Sequence, residues 1–199
     1  MHVTIKFRRL ITYRNMLVCY MFLNYVCIKV SPQSRANFIE VKQMTETRKI
    51  IIVADSSSDV LSVNGIDYSV APLKIISSDR EFIDSPSLNV ESMVNYFDSY
   101  KGKSKTSCPN VSDWIDAFGD ADDVICVTIT SALSGSYNSA CNAKQIYEAE
   151  HEGRRVCIID SLSAGPEIRL LIEKLGEYVK KGLDYEEICT KAKRYLGQT

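Results

Sequence analysis

The sequence contains few of the residues and motifs that common enzymes use for phosphate, metal or nucleophilic chemistry. Its 199 residues include only two histidines, His2 and His151, which lie far apart in the chain. This shortage disfavours a metal site built on imidazole and a Ser–His–Asp triad. A GxGxxG run and a glycine loop followed by Lys are also lacking, so neither common nucleotide-phosphate signature is present. We therefore expect no metal and no cofactor.

The seven cysteines lack the C-x-x-C spacing of metal ribbons and redox motifs. Their number is odd, which does not suit a complete disulfide framework. Cys126 and Cys157 lie inside apolar runs, where a thiol behaves as a small hydrophobic side chain. Because unpaired thiols are typical of a reducing compartment, the sequence predicts a cytoplasmic protein.

The charge is unevenly distributed along the chain, although the whole sequence has a net charge of −1. Residues 1–48 contain eight basic and two acidic residues, whereas residues 49–199 contain 16 basic and 23 acidic residues. A protein that binds nucleic acid needs clustered Lys and Arg to contact the phosphates. The acidic balance of residues 49–199 therefore argues against a nucleic-acid partner.

The first 48 residues also differ from the rest in hydropathy. The segment 16–30 is apolar except for Asn24 and Lys29, but it is shorter than the roughly 20 residues that span a bilayer. Three interpretations are open: a stretch upstream of a true start near Met44, an uncleaved membrane anchor, or an amphipathic interfacial segment. We favour the first, and we expect residues 1–48 to be an extension outside the fold. Any membrane contact would be made through this segment alone.

From residue 49 onward, strand patterns alternate with amphipathic helical patterns. Strands are predicted for five apolar runs: 49–54, 68–76, 80–83, 123–128 and 155–159. Helices are predicted for five segments: 89–100, 111–118, 136–150, 166–181 and the segment that follows Asp184. This alternation predicts an α/β fold, a Rossmann-like parallel sheet with helices on both faces. We expect one such domain over residues 49–199.

The stretch with the most chemical information is residues 131–140, SALSGSYNSA, which lies between a predicted strand and a predicted helix. The first turn of a helix has unpaired backbone N–H groups and a partial positive charge. Ser134 and Ser136 add hydroxyl donors, and Gly135 lets a ligand approach the backbone closely. The stretch therefore indicates a site for a small anionic head group such as a carboxylate. Ordinary helix capping by Ser134 is the alternative.

Three further loops are rich in hydroxyl groups or carboxylates, at residues 55–59, 106–110 and 160–161. Ligands of parallel α/β sheets bind outside the carboxyl ends of the strands, so we expect these loops to gather around one site. Cys108 lacks the His partner that would make it a nucleophile. Asp55 and Asp160 are interpreted as loop or helix caps rather than as an acid–base pair.

These motifs resemble those of the DegV family in both order and setting: DSSSD at 55–59, TSCP at 106–109, SALSGSY at 131–137 and IDS at 159–161. The resemblance covers residues 49–199. It implies a protein that binds a long-chain fatty acid and carries it, without catalysis of its own, for a bacterial fatty acid kinase. It also implies that Thr106 and Ser134 hold the fatty acid carboxylate. To these we add their loop neighbours Ser107, Ser131 and Gly135.

The sequence departs from the family pattern in three places. Cys108 stands where Gln is common, and the loop after Ser161 reads LSAGPE in place of a longer run of small residues. Family members have two domains, and the match covers the first, so we expect a DegV-like N-terminal domain that is truncated before the second. Two alternative functions stay open. One is a hydrolase or transferase that uses the strand-end loops, and the other is an inactive truncated gene product.

Overall fold

The computed structural model describes residues 48–197. The expected extension at residues 1–48, with its start near Met44, therefore lies outside the described residues except for Arg48. In the part of the chain that is described, no helix combines the length and the apolar character needed to cross a membrane.

The elements are numbered separately for strands and helices along the chain. The strands are β1 (Ile50–Asp55), β2 (Tyr68–Ala71), β3 (Lys74–Ile76), β4 (Glu81–Ile83), β5 (Lys105–Ser107), β6 (Asp123–Thr128) and β7 (Arg155–Asp160). The helices are α1 (Val90–Ser99), α2 (Val111–Phe118), α3 (Ser136–Glu150), α4 (Pro166–Lys180) and α5 (Tyr185–Leu196). All five predicted helices are therefore present, each within a residue or so of its expected ends.

The main sheet has the strand order β2–β1–β6–β7, and all of its neighbouring pairs are parallel. Every residue of β6 is buried, as expected of a strand that is covered on both faces. Alternate β6 residues serve two different cores. Val124 and Cys126 belong to the core under α2 and α3, whereas Ile125 and Val127 belong to the core under α4 and α5. The predicted parallel sheet with helices on both faces is confirmed.

The helix ends follow the signals in the sequence. Asn110 caps α2 in a capping box, because its side chain accepts from the backbone N–H of Asp113 and the Asp113 carboxylate accepts from the backbone N–H of Asn110. Asp184 caps α5 by accepting from the backbone N–H of Glu187 at 2.8 Å. These caps fix where the helices begin and therefore where the preceding loops end.

A second, smaller sheet was not expected. The segment 68–76, predicted as one strand, is divided at Pro72: β2 joins the main sheet, and β3 pairs antiparallel with β4 and β5. Proline has no N–H for a sheet ladder, which explains why the strand breaks there. Thr106, expected in a loop, lies in β5 opposite Ile75. The expectation of a loop over 106–110 was therefore wrong at its first two residues. Thr106 and Ser107 belong to a strand that pairs with β3, so their side chains project from a sheet.

An ion-pair network closes the amino end of the main sheet. The Asp123 carboxylate, with a side chain only 2% exposed, accepts hydrogen bonds from Arg48 Nε (2.9 Å) and Nη2 (2.8 Å) and from Arg155 Nε (2.7 Å) and Nη2 (2.9 Å). Burial by itself raises the pKa of Asp123, but the hydrogen bonds from the two guanidinium groups outweigh it and hold that pKa below its ordinary value.

Strand β7 forms one edge of the main sheet, and two side chains of α3 occupy its outward-facing backbone groups. The Val156 N–H donates to Glu148 Oε1 at 2.7 Å, and the Lys144 ammonium donates to the Val156 carbonyl. Lys144 and Glu148 also form an ion pair with each other at 3.4 Å. Both ladder groups of Val156 are therefore satisfied without a further strand.

Candidate carboxylate-binding site

The loops that were expected to form a site lie at the carboxyl ends of the parallel strands. A short 3-10 helix (Ser56–Ser58) follows β1, the loop 129–135 follows β6, and the loop 161–165 follows β7. The small sheet is attached to the same end, because the backbone N–H of Leu73 donates to Ser56 Oγ at 3.0 Å. This contact brings β5 towards the loop that precedes α3.

A cleft of about 440 Å³ separates β5 from the loop before α3. Its lining residues are Leu73, Thr106, Ser107, Cys108, Ile129, Leu133, Ser134 and Gly135. Four of the five residues expected at the site are thus brought together, although they come from two different sheets. Ser131 lies outside this lining, is exposed, and donates its backbone N–H to the Asp160 carboxylate at 3.2 Å.

Two hydroxyl groups in the cleft donate to no acceptor among residues 48–197. Ser134 Oγ accepts from the backbone N–H of Ser136 at 3.2 Å, but neither the Ser134 nor the Thr106 hydroxyl donates to a group within residues 48–197. The Ser107 hydroxyl differs, since it donates to the Cys108 carbonyl at 3.2 Å. Thr106 and Ser134 are therefore the side chains with donors available to a ligand.

The start of α3 contributes further donors to the same place. Gly135, rather than Ser134, occupies the N-cap position, and the Ser134 hydroxyl accepts from the N–H of Ser136, the first residue of the helix. The first N–H groups of a helix have no partner within the helix and carry a partial positive charge. The lining of the cleft contains no charged side chain. An anion bound here would consequently be held by hydroxyl and amide donors and by the helix dipole.

The carboxylate of Asp55 holds the loop before α3 in position. Its side chain is fully buried at the end of β1, and its Oδ2 accepts from the backbone N–H of Ile129 at 2.8 Å and from Ser136 Oγ at 2.6 Å. The Ser57 hydroxyl donates to the other oxygen. A single carboxylate thereby ties together β1, the end of β6 and the first residue of α3.

Asp160 has a similar part at the end of β7. Its carboxylate accepts from the backbone N–H of Ser131 and, at 3.0 Å, from that of Leu162. Both aspartates are thus engaged by donors in the way that loop caps are. No group of three His, Cys, Asp or Glu side chains within residues 48–197 is arranged to hold a metal ion.

Sequence reasoning missed several residues of this site. The apolar lining by Leu73 depends on the break at Pro72, which a continuous strand would not allow. The position of Ile129 and Leu133 in the cleft depends on how their loop folds back over Asp55. Pro72 was the available signal for the position of Leu73. The local sequence pattern contained no signal for Ile129 and Leu133.

The comparison with known families identifies the family of this chain. The model of a family described as "Uncharacterised protein, DegV family" matches residues 49–199. The chain belongs to the DegV family. The resemblance in the sequence motifs is thereby confirmed for three quarters of the chain.

Two curated relatives of this DegV chain come from streptococci. A DegV domain-containing protein of Streptococcus gordonii is 38% identical over 152 residues, and one of Streptococcus pneumoniae is 39% identical over 153 residues. Both matches cover 74% of this chain and 54% of the relative. The DegV chain therefore spans about half the length of the curated relatives it matches.

Two solved structures of DegV relatives share the fold and contain fatty acids. One is a DegV family protein from Eubacterium eligens loaded with heptadecanoic acid, with a TM-score of 0.71 and 37% identity over 74% of this chain and 54% of that one. Another is the Streptococcus pneumoniae fatty acid kinase (Fak) B3 protein loaded with linoleic acid, with a TM-score of 0.71 and 37% identity over 75% of this chain and 54% of that one.

Proposed function

We propose that this domain binds the carboxylate of a long-chain fatty acid in the cleft between β5 and the loop before α3. The observation that supports it most directly is the pair of available hydroxyl donors, on Thr106 and Ser134, in one cleft without a charged side chain. A carboxylate has acceptor sites only, so it matches a group of donors at a helix start. Solved relatives loaded with heptadecanoic and linoleic acid support the same ligand class.

The lining of the cleft also suits the apolar part of such a ligand. Leu73, Ile129 and Leu133 contribute aliphatic surface beside the hydroxyl groups, and Leu133 is 74% exposed. Covering this surface with an acyl chain would stabilise the complex by about 0.8 kcal/mol for each methylene group that is buried. The head group would then fix the orientation of the ligand, and the chain would supply most of the affinity.

We further propose that the protein is a carrier rather than an enzyme, and that it presents the fatty acid to a fatty acid kinase. The engagement of Asp55 and Asp160 by loop donors favours this over acid–base catalysis. The name of the pneumococcal Fak B3 relative supports a kinase as the partner. A cytoplasmic location is part of the same proposal, since five cysteines of the described residues are free thiols.

The test is calorimetric titration of the chain and its variants with palmitate. A hydroxyl hydrogen-bonded to a carboxylate is worth about 1.5–3 kcal/mol, so Thr106→Val and Ser134→Ala should each raise Kd by roughly ten- to hundredfold. Ser107→Ala and Ser131→Ala should have smaller effects, because one hydroxyl is already engaged and the other lies outside the cleft. Ser139→Ala, one turn further along α3, is the matched control and should leave Kd unchanged.

The outcomes separate the candidate functions. Undiminished palmitate binding by the Thr106→Val/Ser134→Ala double variant would contradict the carboxylate site, and so would a complete lack of palmitate binding by the unaltered chain. Turnover of a fatty acyl ester or of ATP by the isolated chain would favour the hydrolase or transferase alternative. Bound palmitate without either turnover is the result expected of a carrier.

A further inference from the structure

The small sheet and α1 form one packed unit, residues 73–107, that carries one wall of the proposed carboxylate cleft. The Phe82 ring of β4 contacts the ring of Tyr96 in α1, with a distance of 5.3 Å between the centroids. Within residues 48–197, two polar contacts join this unit to the rest of the domain. One is the hydrogen bond to Ser56 described above, and the other is an ion pair made by Lys74.

Lys74 extends from β3 to the first turn of α2. Its Nζ lies 2.8 Å from Asp113 Oδ2, and the two side chains are 13% and 19% exposed. The carboxylate of Glu81 in β4 lies further from the same Nζ, at 3.8 Å, and is 47% exposed. Because water screens a partly buried pair less than an exposed one, the pair with Asp113 is the stronger of the two. The same Asp113 oxygen also accepts from the N–H of Asn110 in the capping box of α2.

The position of Lys74 in the small sheet connects this ion pair to the cleft. Lys74 lies directly opposite Ser107 in β5, and the next pair along the ladder is Ile75 and Thr106. Any shift of β3 relative to α2 would therefore move the Thr106 hydroxyl as well. The opposite wall of the cleft is fixed separately, since the loop before α3 is bonded to Asp55 at the end of β1.

We propose that Lys74 is a positioning residue for the fatty acid carboxylate, a role that rests on the proposed carboxylate cleft. Its ion pair holds the Thr106 hydroxyl at the distance from Ser134 at which both can donate to one carboxylate. Hydrogen bonds between hydroxyl groups and oxygen acceptors need separations of about 2.5–3.0 Å, so a displacement of β5 by about 1 Å removes one of the two. Lys74 does not line the cleft itself and acts through Thr106.

Calorimetric titration with palmitate tests this role. Lys74→Met removes the charge and keeps an unbranched side chain, and it should raise Kd roughly tenfold, the lower end of the effect of losing one hydroxyl–carboxylate hydrogen bond. Lys74→Arg retains the charge and should bring Kd back towards that of the unaltered chain. Lys105→Met is the matched control and should leave Kd unchanged, because Lys105 lies in the same sheet but is exposed and forms no ion pair within residues 48–197.

A double-mutant cycle separates a positioning role from a general structural one. If Lys74 acts through Thr106, adding Lys74→Met to Thr106→Val should raise Kd by less than about twofold more. Independent effects would instead multiply, and a full multiplication in the double variant would overturn the proposal. An unchanged Kd for Lys74→Met, in a chain whose palmitate binding is weakened by Thr106→Val, would also overturn it while leaving the proposed function in place.

Hydrogen exchange in the absence of palmitate tests the same contact independently of the proposed function. Lys74→Met should speed exchange of the Leu73 N–H relative to the amides of β6, and Lys74→Arg should not. Asp113→Asn keeps an acceptor for the N–H of Asn110 and should act as Lys74→Met does. Unchanged exchange in both Lys74→Met and Asp113→Asn would overturn the proposal. If the unaltered chain binds no palmitate, the proposed function fails, and the exchange result still decides whether Lys74 fixes the small sheet.

Discussion

Replacing Asp123 by Asn measures how much the ion-pair network at the amino end of the sheet stabilises the fold. The carboxylate accepts four hydrogen bonds from two guanidinium groups, whereas the amide of Asn has one acceptor oxygen and no charge. Hydrogen bonds to charged groups are worth about 1.5–3 kcal/mol each, but Arg48 and Arg155 are 43% and 39% exposed and can be rehydrated. We therefore expect a loss of about 2–4 kcal/mol, well short of the full sum.

Urea unfolding, followed by circular dichroism, measures this difference, and thermal unfolding checks it. For a domain of this size, such a loss lowers Tm by roughly 5–15 °C. The pH dependence has a definite sign, because the folded-state pKa of Asp123 lies below its unfolded value. The stabilisation is fully present above the unfolded pKa, near 4, and is lost as the pH falls through the lower folded-state pKa. The two proteins should therefore converge in stability in strong acid.

Asp120→Asn is the matched control. Asp120 pairs with Lys49, but its side chain is 78% exposed, so its replacement should leave the free energy of unfolding nearly unchanged. A loss for Asp123→Asn no larger than that of the control would refute the reasoning. So would a difference between the unaltered chain and Asp123→Asn that grows, rather than shrinks, as the solution is acidified.

Two further substitutions test the candidate site. Asp55→Ala leaves the buried Ser136 hydroxyl and the Ile129 N–H without their acceptor, so urea unfolding should show a free energy of unfolding lower by about 2–4 kcal/mol. Asp55→Asn keeps one acceptor oxygen and should lower it less. Equal losses for the two variants would contradict the role given to that carboxylate. Gly135→Ala should lower the free energy of unfolding by about 1 kcal/mol or less, because φ is −73° and the new Cβ lies 3.4 Å from Cys108 Sγ. It should nevertheless weaken palmitate binding in calorimetry, because the methyl group would enter the cleft that Cys108 lines. Unchanged affinity would place the ligand elsewhere.

The main sheet could be predicted from sequence because its signals are local. The runs at β1, β6 and β7 are continuous and apolar, and each is followed by polar residues that end the strand. Helix caps such as Asn110 are likewise determined within a few residues. The small sheet has no such signal, because β5 (Lys105–Ser107) is short, polar and exposed at two of its three positions.

The candidate site could be predicted in composition but only partly in arrangement. Its hydroxyl groups follow strands, and the topology of parallel sheets brings strand ends together. The role of Asp55 depends on partners 74 and 81 residues away, Ile129 and Ser136, which no spacing rule identifies. Ser131 is close to Ser134 in sequence, but its backbone N–H donates to the Asp160 carboxylate and its side chain does not line the cleft.

The edge strand β7 has a consequence for which molecules can approach that side of the protein. A neighbouring polypeptide normally joins an exposed edge by hydrogen bonding to its backbone, and Glu148 and Lys144 already occupy both of these groups at Val156. The same two side chains also line a surface groove of about 490 Å³ beside β7. A strand that approached this edge would therefore have to displace both side chains before it could pair with β7 at Val156.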